Sequence, residues 1–271
     1  MAEKRILFVT TEITPYLAET AMSVIARQLP QGIHERGKEI RTFMPKFGLI
    51  NERRNQLHEV IRLSGMNLII DNTDHPLIIK VASIQSARMQ IYFIDNEDFF
   101  QRKYLLHDAN GNEFSDNDER CIFYVRGVME TVKKLRWAPD LIHCHGWMTA
   151  LTPLYIKKYY KSDPCFKNSK VVYSVYDDDF KQPFGEKFAQ KAKIEGVTDD
   201  DLNPIEKKAD FESLTKLAIN FSDGVIQSSP QIHSVIKKYA IEEKKLPFLE
   251  YQPKETYIDV FNEFYDHILS K

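Results

Sequence analysis

What most constrains this chain is a regular alternation of short apolar runs with stretches of helical periodicity. Arg5 to Thr10 reads as a buried strand, and Met22, Ile25, Ala26, Leu29 and Ile33 then recur at helical spacing. Pro30 inside that pattern should kink or shorten the helix, Gly37 ends it, and Glu39 to Met44 gives a second strand. The pattern returns downstream. A helix is expected over Cys121 to Leu135, a strand at Leu141–His145, a helix at Trp147–Tyr160 and a strand at Lys170–Val175. Beyond these come a helix at Phe211–Phe221, a strand at Asp223–Ser228, a helix at Pro230–Ala240 opened by its proline, and a final amphipathic helix within 256–269. Strands separated by helices imply a mostly parallel sheet covered on both faces, a Rossmann-like three-layer α/β sandwich. The whole of 1–271 is expected to form one such domain.

Residues of about 60–95 depart from this rhythm. Ile61–Leu63, Asn67–Asp71, Leu77–Ile84 and Gln90–Asp95 read as strands with little helix between them, a β-rich excursion. The polar segment 96–117, with Asn110-Gly111 as a turn signal, reads as a long loop, and so does 177–210.

The bulk properties exclude several classes. At 43% hydrophobic and 28% charged residues the chain can bury a core. A formal charge of -2 without a basic field disfavours nucleic acid as a partner. No apolar run reaches the length of a signal-peptide core or a membrane span, and the three cysteines, Cys121, Cys144 and Cys165, have no metal-type spacing. A cytoplasmic protein without membrane contact is expected.

In a parallel α/β sheet the site lies at the carboxyl ends of the strands. This directs attention to 10–21, 143–149, 173–180 and 227–230. His143 and His145 lie two apart on a strand and so share a face, with Cys144 on the other. A metal pair is conceivable there, against the plainer reading of histidines satisfied beneath a loop. Asp177, Asp178 and Asp179 could hold Mg²⁺ or form a solvated turn beside Lys181. The loop 10–21 has no glycine, which argues against a diphosphate held there by close backbone approach. A metal-dependent hydrolase or nucleotide-binding protein therefore stands as a minor alternative, and no cofactor is implied.

Ordered motifs narrow the choice. The opening RILFVTTEITP (5–15) is followed by PKFGLINER (45–53), YFIDN (92–96), DNDER (116–120), PDLIHCHGWMTA (139–150) and AINFSDGVIQSSP (218–230). In this order, over nearly the whole chain, they resemble the N-terminal domain of bacterial glycogen and plant starch synthases, glycosyltransferase family 5. The resemblance implies one half of a GT-B enzyme. In that family the N-terminal domain contacts the glucan acceptor, the C-terminal domain supplies most contacts to ADP-glucose, and transfer occurs in the cleft between them.

The match fails where the resemblance would place function. Ala18, Glu19, Thr20 and Ala21 stand at a Lys-Thr-Gly-Gly motif, so a lysine and two glycines are replaced and Glu19 would repel a diphosphate. Gly146 stands at the aspartate of His-Asp-Trp. Ser174, Val175, Tyr176 and Asp177 stand at Thr-x-His-Asn, and Leu106 replaces a tyrosine. The cleft positions are thus Ala18, Glu19, Leu106, His145, Gly146, Tyr176 and Asp177, with His143, His145 and Trp147 as candidate substrate contacts and no metal site. A second GT-B domain is expected to be absent. The expected function is a non-catalytic glycogen synthase-like protein that binds an α-glucan, a protein partner or its own copy. The alternative is an ADP-glucose-dependent glucosyltransferase completed by another chain.

Overall fold

The computed structural model describes residues 3–271. One sheet organises them, with strands β1 (Arg5–Val9), β2 (Glu39–Pro45), β3 (His58–Glu59), β4 (Met66–Ile70), β5 (Thr73–Ile84), β6 (Met89–Asp95), β7 (Leu141–His145), β8 (Lys170–Val175), β9 (Gly224–Gln227) and β10 (Phe248–Leu249). The helices are α1 (Ala21–Glu35), α2 (Glu97–Phe100), α3 (Asn117–Lys134), α4 (Thr152–Lys157), α5 (Phe188–Ala192), α6 (Asp199–Glu206), α7 (Phe211–Asn220), α8 (Ser234–Lys238) and α9 (Tyr257–Leu269). Sheet order is β10-β9-β8-β7-β1-β2-β6-β5-β3, with β4 paired to β5. Every pair from β10 to β6 is parallel, and β5 pairs antiparallel with β6, β3 and β4. This is the mostly parallel, helix-covered α/β sheet that the alternation implies. Among the described residues no helix is long and apolar enough to cross a membrane.

The twofold side-chain period of the strands sorts the core into two layers. Leu7, Val9, Ile142, Cys144, Val171 and Tyr173 join a large cluster with the apolar stripes of α3, α4 and α7. Ile6, Phe8, Leu141, Val172 and Ile226 point the other way, onto Leu29 and Ile33 of α1 and Phe261, Tyr265 and Ile268 of α9. Close approach of α9 needs a small residue on α1. A Cβ at Gly32 would stand 2.5 Å from Ile258 Cγ2. Arg36 bonds Asp259 at 2.5 Å, and Lys38 holds Asn262 at 2.7 Å and Asp266 at 2.9 Å, so the rim of the α1–α9 contact is ionic.

Several local expectations are corrected. Pro30 is accommodated inside α1, which runs on to Glu35 because the helix buries an apolar face on the sheet. Residues 61–63 are a turn, with the N–H groups of Leu63 and Ser64 both bonded to the Val60 carbonyl, leaving Ile61 83% exposed. The β-rich excursion is also narrower than expected, because β6 belongs to the parallel sheet beside β2. Segment 96–117 begins with α2, whose N–H groups at Asp98 and Phe99 are capped by Asn96. Segment 177–210 holds α5 and α6, the latter opened by a Thr198–Asp201 capping box. The helix expected at 147–160 divides into a 3₁₀ turn at Trp147–Thr149 and α4. The one expected from Pro230 starts only at Ser234, since the carbonyls of Ser229 and Pro230 accept from the Gln227 amide.

Candidate functional site

From β1 the sheet grows through β2 and β6 in one direction and through β7, β8 and β9 in the other. The switch point is therefore between the carboxyl ends of β1 and β7, where such sheets open a crevice. The 10–20 loop and the start of α1 form one side. Gly146 and Trp147 after β7, the run from Tyr176 after β8, and Ser228 and Ser229 after β9 form the other.

The 10–20 side is internally satisfied. Thr20 Oγ1 accepts from the Ser23 N–H at 3.0 Å, and Ser23 Oγ accepts from the Thr20 N–H at 2.8 Å. That capping box takes the Ser23 N–H, one of the donors a helix N-terminus would otherwise offer to an anion. The Thr20 hydroxyl also donates to Glu12 Oε2 at 2.6 Å. Ala18 and Glu19 are exposed beside it, so the loop presents carboxylates and no cation.

The two histidines lie in the layer facing α9, on the same side of β7, with ring centroids 3.9 Å apart. Both are fully buried. His143 Nε2 lies 2.6 Å from Ser174 Oγ and its Nδ1 lies 2.6 Å from the Tyr265 hydroxyl. His145 Nδ1 lies 2.8 Å from the Tyr176 hydroxyl, while its Nε2 has no partner. Burial drives His143 well below its usual range, with His145 adding to the effect, and pushes His145 down to about 3. Both rings are neutral over the physiological range. Ser228 donates to Ser174 at 2.9 Å, so hydroxyls tie β8, β9 and α9 to His143. Among the described residues no three His, Cys, Asp or Glu side chains gather as a metal site.

Gly146 turns the chain with φ +75°, and a Cβ there would collide with the Asp178 carboxylate and stand 2.6 Å from Met22 Cε. Asp178 Oδ2 accepts from the Trp147 N–H at 3.3 Å, and its Oδ1 is shut off from solvent without a partner. Burial pushes this carboxyl up to about 7, opposed by the Trp147 amide and reinforced by Glu12 and Asp179. Asp177 is exposed, its backbone N–H bonded to Ser229 Oγ at 2.9 Å.

The sequence-derived positions thus separate. His145, Gly146 and Tyr176 come together at the crevice, with Tyr176 buried over the His145 ring and Asp177 next to it on the surface. Ala18 and Glu19 are on the opposing side. Trp147 is buried against Phe180 and Phe184 rather than presented to a ligand. Leu106 is half-buried in the 96–116 loop, its carbonyl accepting from Phe114 and Asn117. The residue that sequence reasoning set within a bland acidic run is Asp178. It is the middle carboxylate of three just past a strand end, and its position against Gly146 follows only from strand register.

Beside the crevice, between the start of α1 and α9, a cavity of about 390 Å³ opens. Glu19, Gln28, Gln227, Ser228, Tyr251 and Tyr257 are among its lining residues.

Comparison with known proteins places this fold. Residues 5–249 match the family model described as the starch synthase catalytic domain. Glycogen synthase of Chlorobium limicola is 38% identical over 174 residues, covering 64% of this chain and 36% of that protein. Glycogen synthase of Chlorobaculum parvum is 34% identical over 227 residues, covering 83% of this chain and 46% of that one. The chain therefore spans between about a third and a half of the length of these relatives. Among solved structures, the catalytic domain of starch synthase IV from Arabidopsis thaliana, bound to ADP and acarbose, superposes with a TM-score of 0.74 at 17% identity. That superposition covers 92% of this chain and 51% of that one, a likeness of fold. With its strand order, its motifs and this match over 5–249 in agreement, the chain belongs to the starch synthase catalytic domain family.

Proposed function

We propose that this chain is a non-catalytic glycogen synthase-like protein that binds an α-glucan or a partner of glucan metabolism. The observation that carries the reading is the closed state of the crevice. The His145 ring is fully buried beneath Tyr176, and the α1 N-terminus is capped by its own side chains with Glu12 and Glu19 beside it. A sugar nucleotide brings a diphosphate, and the two carboxylates Glu12 and Glu19 beside the capped helix end oppose that charge. A histidine fully enclosed in the interior does not reach a sugar hydroxyl or the reacting atoms.

The test is glucosyl transfer to glycogen from ADP-glucose and from UDP-glucose, alongside glycogen binding by the same preparation. Glycogen binding without transfer is the expected result, and robust turnover by this chain would sink the proposal.

A second reading has one observation in its favour. The Asp178 carboxyl, pushed up to about 7, meets the crevice where Gly146 leaves room. A group of that kind suits proton exchange. A transferase completed by another chain that supplies the remaining part of the relatives' length would use it. Transfer that appears only on mixing and is lost in Asp178→Asn would favour this alternative.

A further inference from the structure

We infer that the segment 176–184 is a lid over His145 and that its catch is Glu113, on the loop between β6 and α3. The assignment rests on the closed crevice described above and concerns how that closure is held.

The catch is preorganised by its own loop. Between β6 and α3 the chain doubles back, with the Phe114 N–H bonded to the Leu106 carbonyl at 3.0 Å and the Asp108 N–H to the Asn112 carbonyl at 2.8 Å. At the tip, Asp108 Oδ1 accepts from the N–H groups of Asn110 and Asn112, and an Arg102–Asp116 ion pair closes the base. This turn presents the Glu113 carboxylate to the lid. Glu113 Oε1 accepts from the Lys181 N–H at 2.7 Å and Oε2 from the Gln182 N–H at 2.8 Å. Two successive main-chain donors gripping one carboxylate make charge-assisted bonds, which are stronger than neutral ones. The Glu113 side chain is 11% exposed, so water competes little for the grip.

From Tyr176 to Phe184 the lid has no helix or strand of its own, only a single bridge from Phe184 to Ala209. Other elements hold it. Asp178 fills the space Gly146 leaves, the Asp177 N–H bonds Ser229, Phe180 and Phe184 pack on Trp147, and Glu113 grips the middle. A segment held by a few such contacts opens at a lower free energy than the whole fold.

The groups at its root mark it as a cover. Tyr176 closes on His145 Nδ1, while His145 Nε2 and Asp178 Oδ1 are both shut off from solvent without a partner. A permanently packed interior pairs such atoms. Here they are hydrogen-bonding capacity that a ligand meets once the lid lifts. Only one residue separates Tyr176 from Asp178, so lifting withdraws both. His143, two residues from His145, is different: both its nitrogens are bonded in the layer beneath α9, to Ser174 and Tyr265, and the lid does not cover it.

The experiment compares the wild-type chain with Glu113→Ala and Glu113→Gln by hydrogen exchange of the 177–184 amides and by carbethoxylation of histidines with diethyl pyrocarbonate at pH 8, both read by mass spectrometry. A neutral imidazole is the reactive form, and His145 is neutral at that pH whether buried or exposed, so its reactivity reports exposure. In Glu113→Ala, exchange at Lys181 and Gln182 and modification of His145 should each accelerate on the order of tenfold, with His143 still protected. Glu113→Gln, which keeps one carbonyl acceptor of the two, should fall between. Unchanged exchange at Lys181 and Gln182 in Glu113→Ala overturns the catch. Faster exchange with His145 still unreactive overturns the cover. Equal acceleration at His143 and His145 shows that Glu113 supports the core and overturns the lid. Neither readout involves a glucan or a sugar nucleotide, so a failed lid leaves transfer and glycogen binding to their own assay.

Discussion

Lowering the pH from 7 to 5 tests the interior of the crevice, because His145 and Asp178 respond in opposite directions. An unfolded histidine titrates near ~6.5, whereas burial holds His145 at about 3. Between those values the unfolded chain binds the proton and the native chain does not. This contribution to stability is complete above ~6.5 and is lost as the pH falls. From pH 7 to pH 5 the loss integrates to about 2 kcal/mol. His143, also buried and driven well below its usual range, adds in the same direction. Asp178 has the reverse sign. Its carboxyl sits at about 7 in the fold and near ~3.9 when unfolded, so the native state binds the extra proton and gains stability on acidification. Over the same interval that gain is again about 2 kcal/mol, enough to mask the His145 term in the wild-type chain.

Variants separate the two. Urea denaturation at pH 7 and pH 5 should find Asp178→Asn losing about 2 kcal/mol more than wild type across the interval, since the offset is removed. His145→Asn, which keeps an acceptor or donor near the Nδ1 position facing Tyr176, should lose about 2 kcal/mol less than wild type. Comparing changes between two pH values cancels the constant cost of each substitution and every titration common to the three proteins. If all three proteins lose the same stability between pH 7 and pH 5, neither group is held as described, and the account of a closed crevice fails.

Other consequences are more direct. Gly146→Ala should cost about 1–3 kcal/mol, from strain at positive φ and collision with Asp178 and Met22. Thermal melts should show part of that cost recovered when Asp178→Ala is combined with it, and simple additivity would argue against the contact. On α9, Phe261→Ala should cost about 3–5 kcal/mol as a core truncation. Tyr265→Phe, which orphans His143 Nδ1, should cost about 1–3 kcal/mol; a neutral result in denaturation would remove that hydroxyl from the buried chain. Thiol titration of native protein at pH 8 should modify Cys165 slowly, since burial pushes it up to about 11. It should modify Cys121 and Cys144 only on unfolding, and rapid reaction of all three would contradict the packing.

The parallel sheet was legible because its strands are short apolar runs and the helices between them carry one apolar stripe, signals set by local periodicity. What could not be read locally was set by partners far along the chain. Pro30 is tolerated because the sheet and α9 bind the apolar face of α1 on both sides of it. Ile61 looks like a strand residue but is carried outward by the turn that closes on the Val60 carbonyl. Helix α6 was overlooked although Thr198 and Asp201 spell its capping box, because a surrounding run of charges hid the short apolar spacing of Leu202 and Ile205.

The crevice shows the same division between local and distant determinants. Ala18, Glu19, Thr20 and Ala21, expected to stand where the resemblance has Lys-Thr-Gly-Gly, are read directly from the sequence, and the charge of Glu19 beside the helix start follows at once. The capping that closes the helix end follows too, once Thr20 and Ser23 are seen three apart at a helix start. Gly146 and Asp178 are different, because 32 positions and the whole of β8 separate them. Read singly, the glycine is a loss and the aspartate is one of three solvated carboxylates. Placed just beyond the ends of two adjacent parallel strands they become one feature: the missing Cβ leaves the volume that the carboxylate fills, and the filling strips that carboxylate of water. Register fixes this pairing, since His145 lies opposite Ser174 and brings the residues just past both strand ends together. A glycine that appears to leave a site empty can thus be one half of a packed pair, and only the strand pairing reveals its other half.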